Sequence, residues 1–177
     1  LESNILMKTL IYSMLAGVAM LFFIFSCENE KENPEPLVFS GKLTSHSDCN
    51  SFKSDTAINT ADSLSCAEYS FDAATNKLYI KHINAGFNCC PDSLYCNVSV
   101  SNDTITIQEF ERYDFCNCNC LYDLYIEIEG VASQEYQIVF IEPYIRAQEQ
   151  LIFGVDLSTQ QEGIYCVTRN VYPWGIY

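Results

Sequence analysis

Val98-Ser-Val-Ser-Asn-Asp-Thr-Ile-Thr-Ile107 and Leu124-Tyr-Ile-Glu-Ile-Glu129 are the stretches that decide the fold. In both, apolar and polar residues alternate, the period of a strand whose successive side chains point to opposite faces. Asn102 and Asp103 interrupt the first stretch, and both residue types tolerate the left-handed conformation that a two-residue hairpin turn demands. In the second stretch Leu124, Ile126 and Ile128 share one face, with Tyr125, Glu127 and Glu129 on the other. Outward from these, Leu78–Ile83, Tyr136–Ile141, Leu151–Val155 and Ile164–Val167 repeat the strand signal. No internal repeat is evident, and no helix is expected beyond the amino-terminal segment. Short strands between turn signals predict an all-β domain, a sandwich or barrel.

The segment Val131-Ala-Ser-Gln-Glu-Tyr136 lies between two of these strands. It resembles the corner of immunoglobulin-like and fibronectin-like domains, where a tyrosine hydroxyl bonds back to the backbone just upstream. The resemblance implies an antiparallel β-sandwich over residues 37–177, stapled by disulfides, with another sandwich topology as the alternative.

Residues 1–6 precede the first methionine and read as pre-initiator residues. From Met7, one positive charge at Lys8 leads into an uncharged, mostly apolar run of 16 residues, Leu10 to Phe25. That is short of the ~20 that a helix needs to cross a bilayer core. A charged start, a short apolar stretch and a small residue before a cut are the layout of a secretory signal over 7–26. The stretch ending Ile24-Phe-Ser-Cys27 resembles a bacterial lipoprotein signal, although Phe25 is larger than is usual there. The resemblance implies cleavage before Cys27 and a lipid on Cys27, each buried methylene contributing ~0.8 kcal/mol. An uncleaved membrane anchor is the competing reading.

Residues 27–36 are polar, acidic and proline-bearing, and read as a flexible tether. Glu28, Glu30 and Glu32 resemble the acidic stretch that directs Bacteroidota lipoproteins to the cell surface; a plain solvated spacer fits as well. Cleavage would leave 177 − 26 = 151 residues carrying 22 acids and 8 bases, a net charge of −14. So negative a surface repels phosphate backbones, which sets nucleic acid aside as a partner.

The chain has ten cysteines, nine once Cys27 is set aside. Six fall within 32 residues: Cys89, Cys90, Cys96, Cys116, Cys118 and Cys120. Extended backbone from Cys116 into Leu121 would put Cys116, Cys118 and Cys120 on one face, roughly 7 Å apart. Disulfides prefer α-carbons ~5.5–6 Å apart. Their expected partners are therefore Cys89, Cys90 and Cys96, while Cys49 and Cys66 would close a second loop worth ~3 kcal/mol. At least one of nine must be left over, and Cys166 is the expected one; connectivity itself stays open. An exported protein meets oxidising conditions, which favours disulfides and no cofactor. The alternative is a thiolate cluster of Cys89, Cys90, Cys116, Cys118 and Cys120 holding zinc, copper or iron–sulfur. Its spacing is not that of a zinc ribbon. The runs Asn84-Ala-Gly-Phe-Asn-Cys-Cys-Pro91 and Cys116-Asn-Cys-Asn-Cys-Leu-Tyr-Asp123 also resemble small cysteine-rich Bacteroidota lipoproteins, a likeness that brings no activity with it.

Catalytic patterns are weak. His46 stands between Ser45 and Ser47 with Asp48 following, but adjacent residues on an extended chain point apart, whereas a triad must converge. Glu127 and Glu129 share a face and read as the wet side of a strand rather than an acid–base pair. No catalytic residue is expected. Tyr172, Trp174 and Tyr177 form an aromatic tail suited to stacking on a sugar or anchoring a protein, or to closing one end of the sandwich. The function expected is a non-enzymatic binding or interaction module, lipid-anchored to the outer membrane or displayed at the cell surface, with a protein or glycan ligand. The alternative is a thiol or metal protein.

Overall fold

The computed structural model describes residues 38–49, 63–113, 116 and 118–171. Nine strands follow in order: β1 (Ser40–His46), β2 (Leu64–Asp72), β3 (Lys77–Asn88), β4 (Pro91–Ser101), β5 (Thr104–Tyr113), β6 (Asn119–Glu129), β7 (Glu135–Ile141), β8 (Ile152–Asp156) and β9 (Glu162–Thr168). They form a five-stranded sheet of order β1-β6-β3-β2-β9 and a four-stranded sheet of order β4-β5-β7-β8. Among the described residues there is no helix, and none long and apolar enough to cross a membrane.

The expected hairpin is present in the expected register. Ser101 pairs with Thr104, and Asn102 and Asp103 both take positive φ, 46° and 59°. That pair of left-handed residues matches the right-handed twist of the flanking strands. The expected corner is present too: the Ala132 amide donates to the Tyr136 hydroxyl at 3.1 Å. The all-β, disulfide-stapled class therefore stands. The finer immunoglobulin-like arrangement is not confirmed. That fold joins strands ABED and CFG, whereas here β2 and β3 sit mid-sheet and β5 pairs with β7 in parallel.

Inward-facing residues follow the strand period. Leu78 and Ile80 of β3, Ile105 and Ile107 of β5, and Ile138 and Phe140 of β7 are buried in one large cluster. Ala85, Phe87, Cys120, Tyr122 and Leu124 build a second. A bulge in β3 between His82 and Ala85 shifts the register against β6, with Asn84 at φ 62°. At the rim, β1 and β4 approach so closely that a methyl on Gly41 would collide with Val98. Glycine is required there.

Candidate functional site

Three strands carry a polar residue in the phase of their buried face, and two more, β7 and β9, are followed directly by one. Ser65 precedes Ala67 and Tyr69 in β2, His82 follows Leu78 and Ile80, and Glu109 follows Ile105 and Ile107. Glu142 follows Ile138 and Phe140, and Arg169 follows Val167; all five side chains are buried. Along β3, and along β7 and its continuation to Tyr144, these residues fall between the two apolar clusters, so the sandwich contains a sealed polar layer.

Its geometry is specific. His82 Nδ1 lies 2.6 Å from Glu109 Oε1, and Nε2 lies 2.8 Å from Ser65 Oγ. Arg169 Nη2 donates to both Glu142 oxygens at 2.7 and 2.5 Å and to Ser65 Oγ at 3.3 Å. Arg169 Nη1 donates to the Glu149 carbonyl. Glu109 Oε2 finds no hydrogen-bond partner among the described residues. Burial works against charging His82, but the carboxylates of Glu109 and Glu142 outweigh it, and its pKa is raised; Arg169 opposes them. Burial, with the charge of Glu109, also lifts the Glu142 carboxyl above its usual range, against the pull of His82 and Arg169. With His82 protonated, two positive groups balance two negative ones. Without that proton, the layer holds one uncompensated buried charge, a costly state.

Ser65–His82–Glu109 has the order of a hydrolase triad. The Ser65 and His82 side chains are wholly buried, so a substrate has no exposed face of the serine to approach. The arrangement serves as an ionic core layer. Sequence reading missed it, because strand β2 was not recognised and the partners are up to 104 positions apart. The available signal was a titratable residue in the inward phase of an otherwise aliphatic strand.

The cysteines partly depart from expectation. Cys49 bonds Cys120, Cys66 bonds Cys166, Cys89 bonds Cys118 and Cys90 bonds Cys116. The expected Cys49–Cys66 closure and unpaired Cys166 are thus both corrected. Cys66 and Cys166 face each other across neighbouring strands β2 and β9, 4.0 Å apart at Cα, a pairing that no local loop could reveal. Among the described residues the free thiol is Cys96. It sits opposite Glu109 on β4, and burial, then the charge of Glu109, pushes its pKa up to about 11. Cys116 and Cys118 do not share the buried face with Cys120. Strand β6 begins only at Asn119, leaving those two exposed while Cys120 is buried.

The outer face of the five-stranded sheet is a shallow concavity where Glu68, Tyr79, Lys81, Tyr125, Glu127 and Ile164 meet. Tyr79 and Tyr125 are 42% and 40% exposed, too open for core residues. Lys81 Nζ stands 5.4 Å from the Tyr125 ring centre and 3.2 Å from Asp123. Glu127 and Glu129 both bind Lys77, at 3.0 and 2.7 Å, so a lysine fastens this carboxylate pair. His46 ends β1, with Nδ1 2.8 Å from its neighbour's carbonyl; the Ser47 hydroxyl accepts from the Asp123 amide and donates to the Asp48 carbonyl. These residues brace a loop. Cys27, Tyr172, Trp174 and Tyr177 lie outside the described residues.

Compared with protein-family models, curated proteins and solved structures, the chain matches none.

Proposed function

We propose that this chain is a lipoprotein of the bacterial outer membrane, anchored through Cys27 and displaying a non-enzymatic binding module. The reading of the address rests on the apolar run ending at Ser26-Cys27 and the acidic tether after it. The reading of the activity rests on one observation, the open sheet face carrying Tyr79 and Tyr125 among charged neighbours. Aromatic rings offer apolar area at low entropic cost, and flanking carboxylates and lysine supply directional hydrogen bonds, the mixture used to hold a glycan or a protein loop.

Two measurements test the two halves. Cys27→Ala should move the protein from the membrane fraction to the soluble fraction and remove the acyl mass; retention of both would refute the anchor. A labelled full chain probed against an oligosaccharide array should give hits that Tyr79→Ala with Tyr125→Ala weakens at least tenfold, at nearly unchanged melting temperature. Hits unaffected by both substitutions would refute this face as the site.

A further inference from the structure

We infer that Cys89, Cys90, Cys116 and Cys118 form a redox-gated site for one thiolate-preferring divalent ion of the zinc class. The sulfurs of Cys89, Cys116 and Cys118 all lie within 4.8 Å of one another, and Cys90 is bonded to Cys116. Tetrahedral zinc with four thiolates at ~2.3 Å needs sulfurs roughly 3.8 Å apart. Little closing motion is required.

Backbone contacts that do not involve the disulfides hold the four residues together. The Cys89 amide donates to the Cys118 carbonyl at 3.1 Å. Asn88 Nδ2 donates to the Cys116 carbonyl at 2.8 Å, and Asn88 Oδ1 accepts from the Cys90 amide at 3.1 Å. Asn88 is itself tied by its amide to Glu111 Oε2 at 2.7 Å, and its carbonyl accepts from the Tyr122 hydroxyl at 3.1 Å. The corner is thereby built to survive loss of its S–S bonds. Cys120, the fifth thiol of the sequence pattern, is excluded from the set, being buried and bonded to Cys49.

Exposure decides which bonds open. Cys116 and Cys118 are exposed and their partners Cys89 and Cys90 only half-buried, whereas the exposed Cys166 is bonded to a fully buried Cys66 and the half-buried Cys49 to a fully buried Cys120. A reducing dithiol attacks Cys118 or Cys116, the S–S bond breaks, and its electron pair leaves on Cys89 or Cys90. The dithiol's second sulfur then displaces the mixed disulfide and departs as a cyclic disulfide. Two dithiols convert two disulfides into four thiols. One divalent ion then binds four thiolates and releases four protons.

The test uses the full chain under anaerobic conditions with a phosphine reductant, which also yields two thiols per disulfide. Limited reduction should add four hydrogens in mass while the fold persists. The product should then take up one cobalt(II) ion with thiolate-to-metal charge-transfer bands, displaced by zinc; the oxidised chain should bind none. Cys90→Ser with Cys116→Ser, which keeps Cys89–Cys118, should weaken binding at least 100-fold. A reduced, folded chain with four free thiols and no cobalt band would overturn the inference. So would unfolding on reduction of this corner, or binding indifferent to the double substitution.

Discussion

The polar layer and the cysteine corner hold their parts together by opposite means. In the layer, charges are joined by geometry alone and sealed from water, so every member depends on the others. At the corner, covalent bonds join residues that water and reagents reach, and a hydrogen-bonded frame around Asn88 would outlast either bond. The contrast teaches that the burial of a group predicts its energetic weight better than the strength of its bond in isolation.

The comparison is most severely tested at Arg169. Arg169→Ala leaves Glu142 without its guanidinium and should cost about 3–5 kcal/mol in urea denaturation, the range for breaking a buried ion pair. A loss under 1 kcal/mol would show that the layer is hydrated.

Next comes pH. The folded pKa values of His82 and Glu142 both lie above their unfolded values, so the native state binds more protons. Stability from each group is full below its unfolded pKa and fades as pH rises through the folded one. For His82 the fading begins above the ordinary histidine range, about 6.5. Melting temperature should therefore be lower at pH 9 than at pH 6, and His82→Gln should flatten that slope. A slope unchanged in the variant would remove His82 from the account.

At the corner, Cys90→Ser with Cys116→Ser should cost only about 1–2 kcal/mol, because the enclosing Cys89–Cys118 bond already closes nearly the same loop. Smallest is Tyr136→Phe, which deprives the Ala132 amide of its acceptor and should cost about 0.5–1.5 kcal/mol in the same denaturation assay. The thiol of Cys96 offers a qualitative check: protonated at neutral pH, it should alkylate slowly in the native chain and rapidly once unfolded.

Local features were legible in the sequence where local chemistry set them. The Asn102-Asp103 turn, the two faces of Leu124–Glu129 and the hydroxyl contact of Tyr136 each depend on neighbours within a few residues. β1 and β2 were not legible. The inward face of β2 reads Ser65, Ala67, Tyr69, Phe71, and its first two residues carry almost no hydrophobic contrast with their neighbours. Missing β2 hid both Ser65 and the facing of Cys66 with Cys166. Tyr125 was visible on the polar face of its strand, but only sheet assembly puts Tyr79 beside Glu127 and brings Ile164 to the same surface.

The Cys66–Cys166 bond spans 100 positions and ties the edge strand β9 to β2. A chain emerging amino end first offers Cys49 and Cys66 to an oxidant long before Cys120 or Cys166 has appeared. The nearest mistake is to join those two early thiols to each other. Where that pairing forms first, reaching Cys49–Cys120 and Cys66–Cys166 requires reshuffling, and a cell lacking an isomerase should accumulate the mispaired form.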